Sequence, residues 1–388
     1  MDKICERNQC IGCGLCSNIC PKGAIKMIED KRTGHFVPQI DIQLCVDCSL
    51  CQKKCPGLRE IESRSQIKTY AAWRKDISKI KGSSSGGVAA SLYERAVEEG
   101  YYIVGTYLNE NFQVKLKITN KKNDIELFKG SKYVQADTGF VYKEALELLQ
   151  KGEKILFIGT PCQCAAMKVL VEGRYENNVI LVELICHGTP SQKTFREYIN
   201  YISKKKKKDI TKIAFRSERG VELSLYSGEK AFWQYKGYED DYMVAFQTGL
   251  IHNETCYQCK YANKDRSSDL TIGDFWKIGE KRVFQHPECK VSVVVASTEK
   301  GLAFLQGCEQ LILEEREYQE ALEGNPNLYS ASKKNLKSEM FWNIYADEGV
   351  SRAYSKTIGK RLKKIRFKNN VKRTIKKHIV FLNRKDNT

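Results

Sequence analysis

From Tyr70 to about Leu328, compact apolar runs alternate with amphipathic stretches. ILFIG (155–159) reads as a buried strand, and the CAAMKVLVEG that follows has apolar residues at helical spacing. VILVELI (179–185) repeats the strand signal, and TFREYINYI after Thr189-Pro190 repeats the helical one. Strand then helix, twice in succession, predicts parallel strands with crossover helices, hence an α/β core. DLTIGDFW and VSVVVAS read as further strands, while SGEKAFWQYKGYEDDYMVAFQTGL is aromatic-rich and follows neither period. Residues 1–60 depart from this rhythm and predict a small α+β domain of their own; 61–69 (IESRSQIKT) form a polar bridge. The expected division is therefore 1–60, then one α/β module in two parts, 66–150 and 151–328, then a basic helical tail, 329–388.

The 388 residues suffice for two or three domains, and 41% hydrophobic with 29% charged residues fits a globular chain. No apolar run reaches the roughly 18 residues that cross a bilayer, and the opening MDKICERNQC lacks a signal-peptide core. A cytoplasmic protein is expected. In that reducing compartment sixteen cysteines point to metal ligation rather than a disulfide framework. The formal charge of +18 is unevenly placed: residues 355–388 carry thirteen Lys or Arg against Asp386 alone, so the tail holds +12 of it. The nearly balanced remainder argues against nucleic acid as a partner. Lys204–Lys208 reads as a solvated loop.

Nine of the cysteines fall in residues 1–60. Cys10, Cys13, Cys16 and Cys20 follow C-x2-C-x2-C-x3-C with Pro21 next; Cys45, Cys48, Cys51 and Cys55 repeat the spacing with Pro56 next. This is the run of bacterial two-cluster ferredoxins, in which the fourth cysteine ligates the other cluster. Three thiolates on a tight loop reach three irons of one cubane, helped by Gly12 and Gly14 where the backbone bends. The expected sets are Cys10, Cys13, Cys16 and Cys55 for one 4Fe-4S cluster, and Cys45, Cys48, Cys51 and Cys20 for the other. Structural zinc favours paired C-x2-C units instead. Cys5 lies outside the pattern.

Two further features carry chemistry. Gly82, Ser83, Ser84, Ser85, Gly86 and Gly87 precede an amphipathic helix, VAASLYERAVEEG. Such a turn either caps the helix or lets backbone N–H groups approach a phosphate; it has neither the Walker nor the G-x-G-x-x-G spacing. Cys162 and Cys186 follow the strands ILFIG and VILVELI, at the strand ends where α/β sheets place ligands. Cys256 and Cys259 form a C-x2-C pair. The four can make a third cluster, or two buried strand-end thiols and a separate zinc turn able to recruit His187 or His252. Cys164, Cys289 and Cys308 read as small buried hydrophobes.

In order along the chain, KGSSSGG (81–87), GSKYVQ (130–135), GTPCQ (159–163), CHGTP (186–190), CYQC (256–259) and SDLTIGDFW (268–276) resemble the family of coenzyme F420 hydrogenase/dehydrogenase beta subunits. That family is the FAD-containing electron-entry module also seen in F420H2 oxidases and 7-hydroxymethyl chlorophyll a reductase. The resemblance covers roughly residues 66–310, and the 66–150 and 151–328 parts are its two halves. It implies one FAD, held partly by residues 82–87 with Lys132 of GSKYVQ, and a 4Fe-4S cluster beside it on Cys162, Cys186, Cys256 and Cys259.

The expected protein is an iron–sulfur flavoprotein oxidoreductase. It would pass electrons between a small organic hydride donor or acceptor, such as coenzyme F420, and ferredoxin-type clusters through FAD. Its partner would be ferredoxin or another redox subunit. The rival readings are a ferredoxin-dependent reductase of a small metabolite in surface-polysaccharide synthesis and a pure electron-transfer protein without flavin. In the tail, Ile358, Leu362 and Ile365 form one helical stripe and Val371, Ile375 and Ile379 another, with the phase changing near Asn369-Asn370. Docking on the protein's own body is favoured over peripheral contact with an anionic membrane at its inner face.

Overall fold

The computed structural model describes residues 1–217 and 220–369. They fall into two compact units: Met1–Arg196 with His252–Lys333, and Glu197–Ile251 with the residues from Lys334 onward. Residues 1–60 thus belong to the same unit as the large sheet.

In the first unit a hairpin of β1 (Ile25–Glu29) and β2 (Phe36–Ile40) pairs antiparallel, Ile25 opposite Ile40. Two short helices, Leu15–Ile19 and Leu50–Lys53, carry part of the ferredoxin-pattern cysteines. The large sheet takes β3 (Lys68–Arg74), β4 (Tyr102–Leu108), β5 (Val114–Thr119), β6 (Ile155–Gly159) and β7 (Val179–Leu184). The next three strands, β8 (Lys212–Ser217), β9 (Gly220–Ser227) and β10 (Lys230–Lys236), belong to the second unit. The sheet is completed by β11 (Leu270–Asp274), β12 (Ser292–Ala296) and β13 (Leu311–Glu315), in the order β13-β3-β12-β11-β7-β6-β4-β5.

The expected parallel core is present: β4, β6, β7 and β11 run parallel. The flanks are antiparallel, with β5 on one side and β12, β3 and β13 on the other. Apolar runs alone do not distinguish these cases. VSVVVAS is fully buried as an antiparallel strand because helices and loops cover both sheet faces. Alternate residues of one strand enter opposite cores: Val294 and Ala296 join one with Leu92 and Leu305, Val293 and Val295 the other with Phe275 and Leu322.

One edge of this sheet collects the C-terminal ends of β6, β7 and β11. Because β12 runs back from that edge and β3 returns to it, Asp274 lies opposite Ser292, and Ser292 opposite Ala72.

In the second unit, the aromatic-rich stretch resolves into β10, antiparallel to β9, and the helix Asp241–Gln247. Asp240 caps that helix and accepts from the Tyr198 hydroxyl (2.7 Å) and Trp233 Nε1 (2.9 Å). Residues 360–369 are helical; Ile358 and Leu362 are buried, and Arg366 pairs with Asp241 at 2.7 Å. The first tail stripe therefore docks within its own unit. The second stripe, Val371, Ile375 and Ile379, lies outside the described residues. Among the described residues no helix is long and apolar enough to cross a membrane.

Candidate metal centre

The thiols of residues 1–60 gather in two groups. Cys13 and Cys16 each lie within electrostatic range of Cys10 and Cys55, which joins Cys55 to the first triplet across 39 residues of chain. Gly14, at φ 75°, starts the helix that carries Cys16; a Cβ there would lie 2.2 Å from Thr138 Oγ1. The second group is Cys20, Cys45, Cys48 and Cys51, which line one cavity whose remaining walls are largely apolar, among them Pro21, Ile25, Ile40 and Leu50.

Cys5 joins the first group. Its thiol hydrogen-bonds with Cys10 and Cys55 and holds both below the ordinary thiol value, Cys55 aided by the nearby Lys260 cation. Burial pushes Cys13 and Cys16 up. Cys5 breaks the spacing rule, so no sequence pattern marks it.

The third set is assembled by long-range packing. A reciprocal Thr160–Gln163 capping box and Pro161 in the first turn begin the helix Pro161–Val171 right after β6. Cys162 thus stands in a helix N-terminal turn, where the dipole favours a thiolate. Cys186 follows β7, and the Gly188 N–H donates to its sulfur at 3.4 Å. The Pro190–His252 bridge and the Asn253 N–H to Thr189 carbonyl bond (3.1 Å) lay residues 252–259 along the CHGTP loop. As a result Cys162, Cys186, Cys256 and Cys259 share one neighbourhood, each half-buried. Donors face these sulfurs: the Thr160 hydroxyl lies 3.2 Å from Cys162, the Thr189 hydroxyl 3.9 Å from Cys256, and the nearby N–H groups of Tyr261 and Ala262 favour the Cys259 thiolate.

Burial raises all four thiols, Cys162 to about 11 and Cys256 to about 12. They are protonated at neutral pH until a cation replaces the protons. Among the described residues no three His, Cys, Asp or Glu side chains close to the spacing of a single metal ion. Cys164 is buried with its sulfur on the Val182 carbonyl, Cys308 is buried, and Cys289 packs half-buried against a core.

Around this set runs a buried polar frame that the sequence does not announce. Arg266 donates to Glu183 of β7 and to the carbonyls of Tyr261 (2.9 Å) and Asn263 (3.1 Å). Tyr261 is buried and donates to the Pro56 carbonyl at 2.9 Å.

The glycine/serine loop lies on the same sheet edge. The Arg74 N–H donates to Gly86, the Gly86 N–H to Ser292 Oγ, and Ser85 Oγ to the Val291 carbonyl. A Cβ on Gly86 would stand 2.4 Å from the Ala72 carbonyl oxygen, so this glycine is required by contact with β3 itself. Gly87 caps the helix Val88–Glu98 in the left-handed region, and a Cβ there would meet Arg74 at 2.8 Å. Ser84 hydrogen-bonds Ser131 of GSKYVQ at 2.7 Å. Ser83 Oγ is buried with no hydrogen-bond partner, and Gly82 has φ 82°. Lys132 has another occupation: its ammonium donates to the carbonyls of Thr106, Leu127 and Lys129 at 2.8–3.0 Å, and burial lowers it to about 7. With all three N–H bonds spent on backbone, it braces the loop rather than reaching out of it.

Residues 152–321 match the family model that describes the C terminus of the coenzyme F420 hydrogenase/dehydrogenase beta chain, and residues 9–57 match that of the 4Fe-4S dicluster domain. One component of the F420H2 dehydrogenase of Methanosarcina mazei is 27% identical over 232 residues, which are 55% of this chain and 63% of that protein. The match thus spans less than two thirds of that relative's length. A ferredoxin-like protein of the nif region in Trichormus variabilis is 43% identical over 80 residues, 19% of this chain and 67% of that protein. Among solved structures, a chain of the F420-reducing [NiFe] hydrogenase complex from Methanosarcina barkeri aligns with a TM-score of 0.43 and 17% identity, covering 77% of this chain and 93% of that one. The chain thus carries, over residues 152–321, a module similar to the C terminus of coenzyme F420 hydrogenase/dehydrogenase beta subunits, with a 4Fe-4S dicluster domain ahead of it.

Proposed function

We propose that this protein is an iron–sulfur flavoprotein oxidoreductase that exchanges electrons between a small organic hydride carrier of the coenzyme F420 type and a redox-partner protein. The observation that carries this reading is the shared sheet edge. Cys162, Cys186 and the Gly86–Ser292 contact all stand at strand ends on one side of one sheet. When bound, FAD supplies the exchange between a two-electron hydride and single electrons.

The residues present suit these groups. Cys162, Cys186, Cys256 and Cys259 are the ligands proposed for a third 4Fe-4S cluster, their sulfurs already facing hydroxyl and N–H donors. The ferredoxin-pattern thiols also fail to close to single-ion spacing, so that criterion does not separate the third set from the two that the dicluster domain holds. At the loop, the Ser83 hydroxyl is a buried donor without a partner, of the kind a phosphate oxygen takes. Gly86 and Gly87 keep the chain tight to β3 so that the loop stays on that edge.

The exit proposed toward a partner, ferredoxin or another redox subunit, is the second thiol group. Cys48 is exposed there, and Ile42, Leu44 and Val46 beside it are 70%, 50% and 57% exposed. An apolar rim around a surface carrier suits a transient redox contact. Anaerobic purification followed by counting of flavin, iron and sulfide tests the reading. About one flavin and about twelve irons per chain are expected from three four-iron clusters; a protein without flavin would reduce it to an electron relay.

A further inference from the structure

Tyr261 occupies a place that neither cluster pattern requires. It stands two residues after Cys259, and its backbone N–H lies near enough to that sulfur to favour the thiolate. Its side chain crosses to the ferredoxin segment, where the hydroxyl donates at 2.9 Å to the carbonyl of Pro56, the residue after Cys55. The neighbouring Lys260 makes the same crossing, its ammonium donating to the carbonyls of Gly57 (3.2 Å) and Arg59. Arg266 holds the Tyr261 carbonyl from the other side. The ring is 7% exposed, so the crossing runs through protein rather than water.

We propose that Tyr261 is the bridging residue between the third thiol set and the ferredoxin-type set containing Cys55, and that it orders the three sets in series. In that order the Cys162/Cys186/Cys256/Cys259 set meets Cys10/Cys13/Cys16/Cys55 first, and the solvent-facing Cys20/Cys45/Cys48/Cys51 set stands last. The path runs from Cys259 along two residues of chain to Tyr261, through one hydrogen bond to Pro56, and on to Cys55. Each transfer moves a single electron: the donor set is oxidised by one, the acceptor set reduced by one, and no covalent bond forms or breaks. Tyr261 keeps its proton, which its hydrogen bond to Pro56 holds in place. The proposal rests on the third set holding a cluster, as proposed above.

The test uses the full-length, iron-reconstituted protein, oxidised and then mixed anaerobically with substoichiometric dithionite, with rapid freezing and EPR. The third-set signal is identified as the one absent from a Cys256→Ser/Cys259→Ser variant. In the unsubstituted protein that signal is expected to grow as the ferredoxin signals decay. In Tyr261→Phe, with iron and sulfide content unchanged, the same final distribution is expected to be reached more slowly. An equal rate in the two proteins overturns the bridge. Unchanged iron in the double serine variant overturns the third-cluster reading and the bridge with it, so the iron count distinguishes that failure from the first. Should Tyr261→Phe lose iron, the unsubstituted protein decides. At full reduction, magnetic broadening of the third-set signal by a ferredoxin cluster supports the series order, and its absence overturns it.

Discussion

The guanidinium of Arg266 and the carboxylate of Glu183 form an ion pair in which both side chains are buried. Glu183 also accepts from Ser268 (2.8 Å) and Thr271 (3.2 Å), and the Nη1 group of Arg266 donates to the carbonyls of Tyr261 and Asn263. The pair therefore fastens the loop after Cys259 to β7, the strand that delivers Cys186.

Removing one partner should be far worse than removing both. Arg266→Met leaves a buried carboxylate uncompensated, and a loss of about 3–5 kcal/mol is expected. Replacing Glu183 by Leu in the same chain should restore much of it. Anaerobic unfolding of the two variants, with iron counted in parallel, measures this. Equal losses in both would mean that the pair is not what holds the loop.

The third thiol set should behave as one unit. Cys256→Ser/Cys259→Ser is expected to lower iron by about four per chain and leave the ferredoxin spectrum intact. Metal analysis that found zinc lost in place of iron would assign the set to zinc.

At the glycine/serine loop, packing and binding separate by residue. Ser83→Ala removes a hydroxyl with no protein partner, so stability should hold while flavin affinity falls about ten- to hundredfold, the value of one hydrogen bond to a charged group. Gly86→Ala should lower the melting temperature with or without flavin, because its Cβ meets the β3 backbone. Flavin titration beside thermal unfolding distinguishes the two effects.

His35 predicts a pH dependence. Burial, helped by the Arg7 cation, lowers its imidazole to about 4, against the opposing hydrogen bond to the Thr189 carbonyl. The unfolded chain takes up this proton below about 6.5 and the folded chain only near 4. Stability should thus fall as pH drops from about 6.5 to about 4, by on the order of 1.4 kcal/mol per pH unit, and this contribution is absent above that window. His35→Gln should show a shallower acid limb in unfolding measured across that range.

The start of the tail is core rather than ornament. Leu362 is fully buried, so Leu362→Ala should destabilise its unit by about 2–5 kcal/mol. Thermal unfolding checks this; an unchanged transition would free the helix for another role.

The contrast between the cysteines shows how much is legible in the chain alone. A cubane's reach is three residues, so C-x2-C-x2-C is a local pattern and is written in consecutive sequence. ILFIG and VILVELI are legible as strands for the same reason: their compact apolar character repeats within a few residues. Cys162 and Cys186 can be placed at strand ends, but their approach to Cys256 and Cys259 depends on the Pro190–His252 bridge and on the buried Glu183–Arg266 pair, which join positions 62 and 83 residues apart. Gly86 reads in the sequence as part of a helix cap or a phosphate turn, and its close contact with the backbone of β3 appears only in the fold. Lys132 looks available in the sequence, yet three carbonyls take its ammonium. Cys5 and Tyr261 carry no signal, because each acts through a partner brought near by the fold. Spacing encodes what one short segment can do; which segments meet follows from the burial of the whole sheet.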